Sequence, residues 1–175
     1  MKKLLVVVDM QNDFIDGTLG TPEALLIVPN VIKKISEWAG DIAYTMDTHY
    51  KNYMSTKEGK KLPIPHCIVG TDGWKLNDDI RKRIEKWGLR AKSFLKETFG
   101  SIDLADLISE SGYDYIEFVG LCTDISVISN VLIAKAIAPD AKIVVDASCC
   151  AGVTPESHNN ALEAMKMCHI DMINS

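Results

Sequence analysis

Residues 119–130, VGLCTDISVISN, carry two side chains that could act as nucleophiles, Cys122 and Ser126. Gly120 lets the backbone turn after an apolar run, and the Thr-Asp pair that follows Cys122 could cap a helix beginning there. The free N–H groups at a helix start stabilise a thiolate and bind an oxyanion. The pattern is typical of covalent catalysis, but the spacing alone does not decide which of the two side chains attacks.

Two further side chains could transfer protons or hold charge. Asp9 lies in VVVDMQNDF, just past an apolar run, where an aspartate is either a turn cap or a general acid or base at a pocket floor. Lys96 lies in FLKETFGS, also after an apolar run. A lysine there is by default a surface residue, but if it faces Asp9 its charge keeps that carboxylate ionised.

A third group of residues is competent to bind a metal. Asp47 and His49 in MDTHY share one side of an extended segment, and the region that follows supplies Glu58 and His66. Two imidazoles and two carboxylates suit Zn²⁺, Mn²⁺ or Fe²⁺ with a position open for water or substrate. The sequence therefore predicts one divalent-metal site, with Zn²⁺ as the first choice and Mn²⁺ or Fe²⁺ as alternatives.

Strand and helix patterns alternate along the chain. Apolar runs that predict buried parallel strands lie at 3–8, 41–46, 90–95, 115–121, 142–146 and 170–174. Helical patterns lie at 23–38, 76–87, 102–110, 124–137 and 155–167. The alternation predicts an α/β fold, a mainly parallel sheet with helices on both faces. Ligands bind at the carboxyl ends of such strands, where the reactive side chains would converge.

Some features depart from this regular alternation. Pro29 lies inside the first helical pattern and predicts that its first turns are irregular. Residues 48–75 fit neither pattern and predict a long loop, a feature that is usually functional in a compact domain. His158 and His169 lie away from the metal-competent residues, and we expect both to be solvent-facing or structurally hydrogen-bonded.

Composition limits the class of protein. The 175 residues suit one domain, 1–175, and 47% are hydrophobic. A formal net charge of −5 argues against binding to nucleic acid or to an anionic membrane. The apolar run at the N-terminus ends at Asp9, too early for a signal peptide or a membrane span. Five cysteines, an odd count, predict reduced thiols and a cytoplasmic location.

The motifs VVVDMQNDF, DTH, HCIVGTDGW, KETFGS and VGLCTDISV occur here in one order. Together they resemble isochorismatase-like cysteine hydrolases over nearly the whole chain, and most closely the nicotinamidase/pyrazinamidase branch. The resemblance implies a three-layer α/β/α sandwich with a mainly parallel six-stranded sheet and an Asp–Lys–Cys triad. Asp9 and Lys96 match the first two members. The family's Cys ends a Thr-Asp-x-Cys pattern that reads TDIS here, so Ser126 occupies the nucleophile's position.

The resemblance also implies the other site residues. The peptide bond between Leu121 and Cys122 would be cis, and the N–H groups of Cys122 and Ser126 would form the oxyanion hole. Phe14 would pack on the substrate ring, with Trp74 as a candidate for a second aromatic wall. The implied metal ligands are Asp47, His49, Glu58 and His66.

The implied activity is hydrolysis of nicotinamide, or a close aromatic amide, to the acid and ammonia by a homo-oligomeric enzyme. Ser126 makes the chain inactive or very slow, because a hydroxyl is hard to ionise and no histidine lies in 119–130 to activate it. Three interpretations stay open. The chain is an amidase whose Cys was replaced by Ser, a natural pseudoenzyme that only binds, or an amidase for a carbamoyl or ureido compound.

Overall fold

A computed structural model describes residues 1–175 as strands and helices in alternation. The strands are β1 Lys3–Val8, β2 Asp41–Asp47, β3 Ala91–Lys96, β4 Tyr115–Leu121, β5 Lys142–Ala151 and β6 Asp171–Ile173. The helices are α1 Asn12–Ile15, α2 Pro22–Glu37, α3 Lys57–Lys61, α4 Asp78–Glu85, α5 Ile102–Ser111, α6 Ile128–Ile137 and α7 Pro155–Met167. Short 3₁₀ turns lie at Tyr53–Ser55 and Gly88–Arg90, and a π-helical turn at Thr123–Val127.

The six strands form one sheet in the order β3-β2-β1-β4-β5-β6, with every neighbouring pair parallel. Alternate residues of β1 enter separate cores. Leu4, Val6 and Val8 pack with α5, α6 and α7, whereas Leu5 and Val7 pack with α2 and α4. Helices therefore cover both faces, which confirms the predicted three-layer α/β fold. No helix combines the length and the apolar character needed to cross a lipid bilayer.

Helix α2 runs without interruption through Pro29, so the predicted irregular first turns are wrong. Pro29 removes the N–H that would bond to the carbonyl of Leu25. Both residues lie on the exposed side of α2, where water can donate a hydrogen bond to the free carbonyl of Leu25. Thr21 also caps the helix start by accepting a hydrogen bond from the N–H of Ala24 at 3.0 Å.

The predicted loop at 48–75 is partly structured, since it contains the turn Tyr53–Ser55 and the short helix α3. Thr56 caps α3 by accepting a hydrogen bond from the N–H of Gly59 at 3.0 Å. The pattern of apolar residues did not reveal these elements because each is too short to repeat it. They fold the segment back over the end of β2.

Gly120 allows β4 to pass very close to β1. Its φ is +121°, and a Cβ at this position would lie 2.1 Å from the carbonyl oxygen of Val8. Only glycine tolerates both the backbone conformation and the close approach. The residue lies one position before the end of β4, directly ahead of the segment that carries Cys122 and Ser126.

We expect Gly120→Ala to lower the free energy of unfolding by about 3–6 kcal/mol, because backbone strain and a steric clash add. The matched control is Gly112→Ala, where φ is +61° and no atom lies within 4 Å of the new Cβ. That control should lose only about 1–2 kcal/mol. Urea denaturation followed by circular dichroism measures both, and equal losses would contradict the close approach of β4 to β1.

Candidate active site

Polar side chains from four neighbouring strands meet at one edge of the sheet. Asp9 follows β1, Asp47 ends β2, Lys96 ends β3, and Ser126 lies in the turn after β4. All four are buried. The sequence-based expectation that reactive groups converge at the carboxyl ends of the parallel strands is therefore confirmed by the geometry.

Lys96 is the hub of these contacts. Its Nζ lies 2.7 Å from Asp9 Oδ2 and 3.5 Å from Asp47 Oδ1, and it donates a hydrogen bond of 3.3 Å to Ser126 Oγ. The carbonyl of Thr98 accepts a further hydrogen bond at 3.1 Å. Burial alone would lower the pKa of Lys96, but the two carboxylates raise it. The lysine is therefore a buried cation rather than a surface residue.

Asp9 is fully buried and has a positive φ of 46°. Burial raises its pKa above the usual range of a carboxyl group, an effect that the Lys96 ammonium only partly offsets. The hydroxyl of Thr45 donates a hydrogen bond of 2.6 Å to Asp9 Oδ1. A carboxyl group with a raised pKa exchanges a proton more readily near neutral pH than an ordinary aspartate does.

The turn after β4 presents Ser126, not Cys122, to the charged groups. The peptide bond between Leu121 and Cys122 is cis, as the resemblance to isochorismatase-like hydrolases implies. The next residues form a π-helical turn instead of the α-helix expected from residue 124, and the N–H of Val127 donates to the carbonyl of Cys122 at 3.1 Å. Turns of this type are frequent at functional sites.

Cys122 lies beside Ser126 in the lining of a small cavity, but it makes no hydrogen bond with Lys96. Burial and the nearby Asp124 raise the pKa of its thiol to about 12. A thiol with that pKa is almost wholly protonated at neutral pH and is a poor nucleophile. Ser126, and not Cys122, therefore lies against the buried Lys96 ammonium.

No histidine lies within hydrogen-bonding distance of Ser126 Oγ. His158, one of the two histidines expected to be structural, instead has its Nδ1 2.7 Å from Thr123 Oγ1. His169 is exposed after α7. The only side-chain hydrogen bond to Ser126 Oγ comes from the Lys96 ammonium, which is a donor and cannot accept a proton from the hydroxyl.

The four predicted metal ligands come together beside this cluster. The ligand atoms of Asp47, His49, Glu58 and His66 lie within 4.8 Å of one another. His49 Nε2 is 3.0 Å from Asp47 Oδ2 and 3.5 Å from Glu58 Oε1, and His66 Nε2 is 3.3 and 3.8 Å from the same oxygens. A tetrahedral ion with bonds of about 2.0–2.2 Å separates its ligands by about 3.3–3.6 Å. The residues fit such an ion.

The imidazoles are held in place by their surroundings. His66 Nδ1 lies 2.8 Å from the carbonyl of Ile64, so Nδ1 carries the hydrogen and Nε2 faces the other ligands. The ring of the buried Tyr53 packs edge-on against His49 and His66, with centroids 4.8 and 5.1 Å away. Fixed tautomers and ring positions are what a metal site requires.

A cavity of about 210 Å³ opens above Ser126 and Glu58. Its volume is below the range of about 300–1,000 Å³ that drug-sized ligands occupy, so it suits a small molecule. The walls are mostly apolar. They include Phe14, Leu19, Leu62, Phe99, Ile125 and Val153.

The sequence identified Phe14 but missed the other side of the cavity. Trp74, the candidate for a second aromatic wall, does not line it, because its indole donates a hydrogen bond to Thr48 Oγ1 at 3.0 Å. Phe99 lines the cavity instead and is 46% exposed. Its place in KETFGS, three residues after Lys96, was the signal that could have found it. Val153, just after β5, also lines the cavity and lies outside every motif of the sequence analysis.

Residues 3–175 match the family model described as the isochorismatase domain. The pyrazinamidase of Pyrococcus horikoshii in complex with zinc is 28% identical, with a TM-score of 0.78 over 100% of each chain. The pyrazinamidase/nicotinamidase of Streptococcus mutans is 25% identical, with a TM-score of 0.85 over 98% of this chain and 100% of that one. The nicotinamidase/pyrazinamidase of Bacillus subtilis, at 24% identity and a TM-score of 0.87, covers 99% of this chain and 100% of its own, and supports the fold. No curated protein sequence matches. From the match over residues 3–175, the chain belongs to the isochorismatase family.

Proposed function

We propose that this chain is a nicotinamidase-like amidase that carries serine at its nucleophile position. The observation that carries the proposal is the position of Lys96 Nζ, which contacts both Asp9 and Ser126 beside a four-residue metal-competent cluster. The substrate is a small aromatic amide such as nicotinamide. Phe14 packs on its ring, and the apolar walls surround it.

In the reaction with cysteine at position 126, the thiolate attacks the carboxamide carbon. Lys96 stabilises the thiolate, and N–H groups of the turn after β4 stabilise the oxyanion, each donor contributing about 10²–10³-fold in rate. The C–N bond breaks as the nitrogen takes a proton from Asp9, and ammonia leaves. Asp9 then removes a proton from water, which attacks the thioester, releases the acid and restores the thiolate. Its raised pKa suits both transfers.

Asp47, His49, Glu58 and His66 would hold the divalent ion, Zn²⁺ first, with Mn²⁺ or Fe²⁺ as alternatives. When bound, the ion would supply Lewis-acid chemistry. The Nε2 atoms of His49 and His66 face the carboxylates of Asp47 and Glu58, and Glu58 also lines the cavity. The single-domain organisation, the homo-oligomeric state and the cytoplasmic location stay predictions from the sequence.

Ser126 interrupts this scheme at the first step. Its hydroxyl receives a hydrogen bond from the Lys96 ammonium and donates none to a side-chain base. A hydroxyl needs such a base because its pKa is far above that of a thiol. The chain with Ser126 therefore binds its amide and hydrolyses it very slowly. The same observation supports the second candidate, a pseudoenzyme that binds a small amide without turnover.

The third interpretation, an amidase for a carbamoyl or ureido compound, uses the same catalytic residues and stays open. The mostly apolar walls of the cavity match an uncharged aromatic amide.

The first prediction concerns turnover. Ser126→Cys should raise the rate of ammonia release from nicotinamide by about 10³-fold or more, which corresponds to roughly 4 kcal/mol of barrier, because a thiolate replaces an unactivated hydroxyl. Cys122→Ala is the matched control and should change the rate little in either background. If Ser126→Cys stays inactive on nicotinamide, pyrazinamide and related small amides, the binding-protein interpretation moves ahead.

The second prediction concerns the thiols. Iodoacetamide at pH 7 should modify the exposed Cys168 and leave Cys122 unmodified, because burial raises the pKa of Cys122 to about 12. Raising the pH should increase the reaction at Cys122. In Ser126→Cys, the new thiol beside Lys96 should react faster than either. Peptide mass spectrometry assigns the sites, and rapid modification of Cys122 at pH 7 would contradict the assignment of the nucleophile to position 126.

The third prediction concerns the metal. Protein purified without a histidine tag should bind one divalent ion per chain, measured by elemental analysis and by Zn²⁺ titration. His66→Ala should abolish binding, whereas the control His169→Ala, at an exposed histidine, should not affect it. Fewer than about 0.2 ions per chain, with no binding on titration, would be incompatible with the affinities of protein Zn²⁺ sites.

A further inference from the structure

Gln11 contacts the metal-competent cluster through the main chain. It is fully buried, and its side-chain Nε2 donates hydrogen bonds of 2.8 Å to the carbonyls of Asp47 and Trp74. Its Oε1 accepts a hydrogen bond of 2.7 Å from the N–H of Asp47. Both main-chain polar groups of one metal-competent residue are thus held by a single side chain.

The strand geometry explains why an amide is needed there. The pairing of β1 with β2 ends at Val7 and Tyr44, and the chain turns away from β2 at Asp9, where φ is positive. The edge of β2 at Asp47 then lacks a neighbouring strand on the β1 side. The Gln11 side chain offers one donor group and one acceptor, as a peptide unit of the missing strand would.

Asp13 holds the second part of the cluster. Its Oδ2 accepts a hydrogen bond of 2.7 Å from the N–H of Cys67, the residue after His66, and Cys67 has a positive φ of 46°. The carbonyl of Cys67 in turn accepts a hydrogen bond of 2.9 Å from the N–H of His49. Asp13 therefore fixes a residue whose main chain joins the two histidine segments.

The carboxylate of Asp13 is closely enclosed. Its Oδ1 accepts a hydrogen bond of 3.3 Å from the N–H of Thr18. On the other side lies Gly73, where a Cβ would be 2.2 Å from Asp13 Oδ2. The side chain cannot swing away from Cys67 without disturbing these neighbours, so the backbone after His66 has a fixed position.

We propose that Gln11 and Asp13 are positioning residues that arrange the metal ligands before the ion binds. Gln11 sets the main chain of Asp47, and Asp13 sets the main chain that joins His66 to His49. The inference rests on the metal site of the proposed function. It adds two roles within the DMQNDF motif: Asp9 serves the reaction, Phe14 the substrate, and Gln11 and Asp13 the ligand geometry.

The test measures Zn²⁺ affinity by competition with a chromophoric chelator, at a temperature where circular dichroism shows every variant folded. Gln11→Met and Asp13→Ala should each bind Zn²⁺ about 10–100-fold more weakly, as is usual when a partner behind the ligands is removed. Asp13→Asn keeps one oxygen for the N–H of Cys67 and should recover part of the affinity. If Gln11→Met fails to fold, the comparison of Asp13→Ala with Asp13→Asn still tests the inference.

The matched control is Tyr113→Phe, which removes a hydrogen bond of 3.0 Å to Asp41 at the opposite end of β2. It should reduce thermal stability and leave Zn²⁺ affinity unchanged, so a general loss of stability is distinguished from a loss of positioning. Zn²⁺ affinity within about threefold of wild type in Asp13→Ala would overturn the inference alone, since known positioning effects are larger. Failure of the wild-type chain to bind Zn²⁺ would overturn the metal site and this inference together.

Discussion

The buried ammonium of Lys96 is the interaction on which the site depends. Its side chain is 2% exposed, and the carboxylates of Asp9 and Asp47 that it contacts are almost completely buried as well. An unpaired charge in such an interior is strongly unfavourable, so none of the three would remain ionised there alone. Lys96 joins the residues proposed for hydrolysis to the residues proposed for metal binding, and it makes the two one electrostatic unit.

The order of the strands in the sheet brings the members of this cluster together. Strands β3, β2, β1 and β4 are neighbours, so the residues that follow them fall side by side although 117 positions separate Asp9 from Ser126 in the numbering. Gly120 permits the close passage of β4 along β1. The turn after β4 therefore delivers Ser126 to Lys96, and α3 with its preceding turn brings Glu58 back to His49.

The sequence was sufficient for features that depend on residue type and on repeating patterns. The strands β1, β2, β4 and β5 are buried and appear as apolar runs, and Asp9, Asp47, His49 and Lys96 appear as polar residues at strand ends. The prediction that β3 and β6 are also buried is wrong, because they are the edge strands of the sheet and most of their residues are partly or fully exposed. The parts that it could not predict depend on contacts between distant segments. No repeating pattern predicts the π-helical turn or the position of Phe99 in the cavity wall. The same is true of the hydrogen bond from Trp74 to Thr48, which keeps Trp74 out of the cavity.

Pro29 is a case in which a local rule predicted an irregularity that the structure does not have. The local rule for proline predicts a disturbed helix, but the rule cannot tell which carbonyl loses its partner or whether that carbonyl faces water. Gln11 is a further example, since only the early turn of β1 away from β2 gives its amide a function. The residue type shows which chemistry a side chain can perform, whereas the fold decides which group that side chain contacts.

The parallel arrangement of the sheet has a consequence for biosynthesis. Every strand pair is joined by a long crossover, and the edge strand β3 follows β2 with α3 and α4 between them. Contacts of this kind form slowly, because a long loop must close before any pairing is gained. The pocket draws on residues from Phe14 to Val153, so a ribosome must have released most of the chain before a ligand can be enclosed. Until then the apolar strands are exposed, and unpaired apolar strands are prone to aggregation.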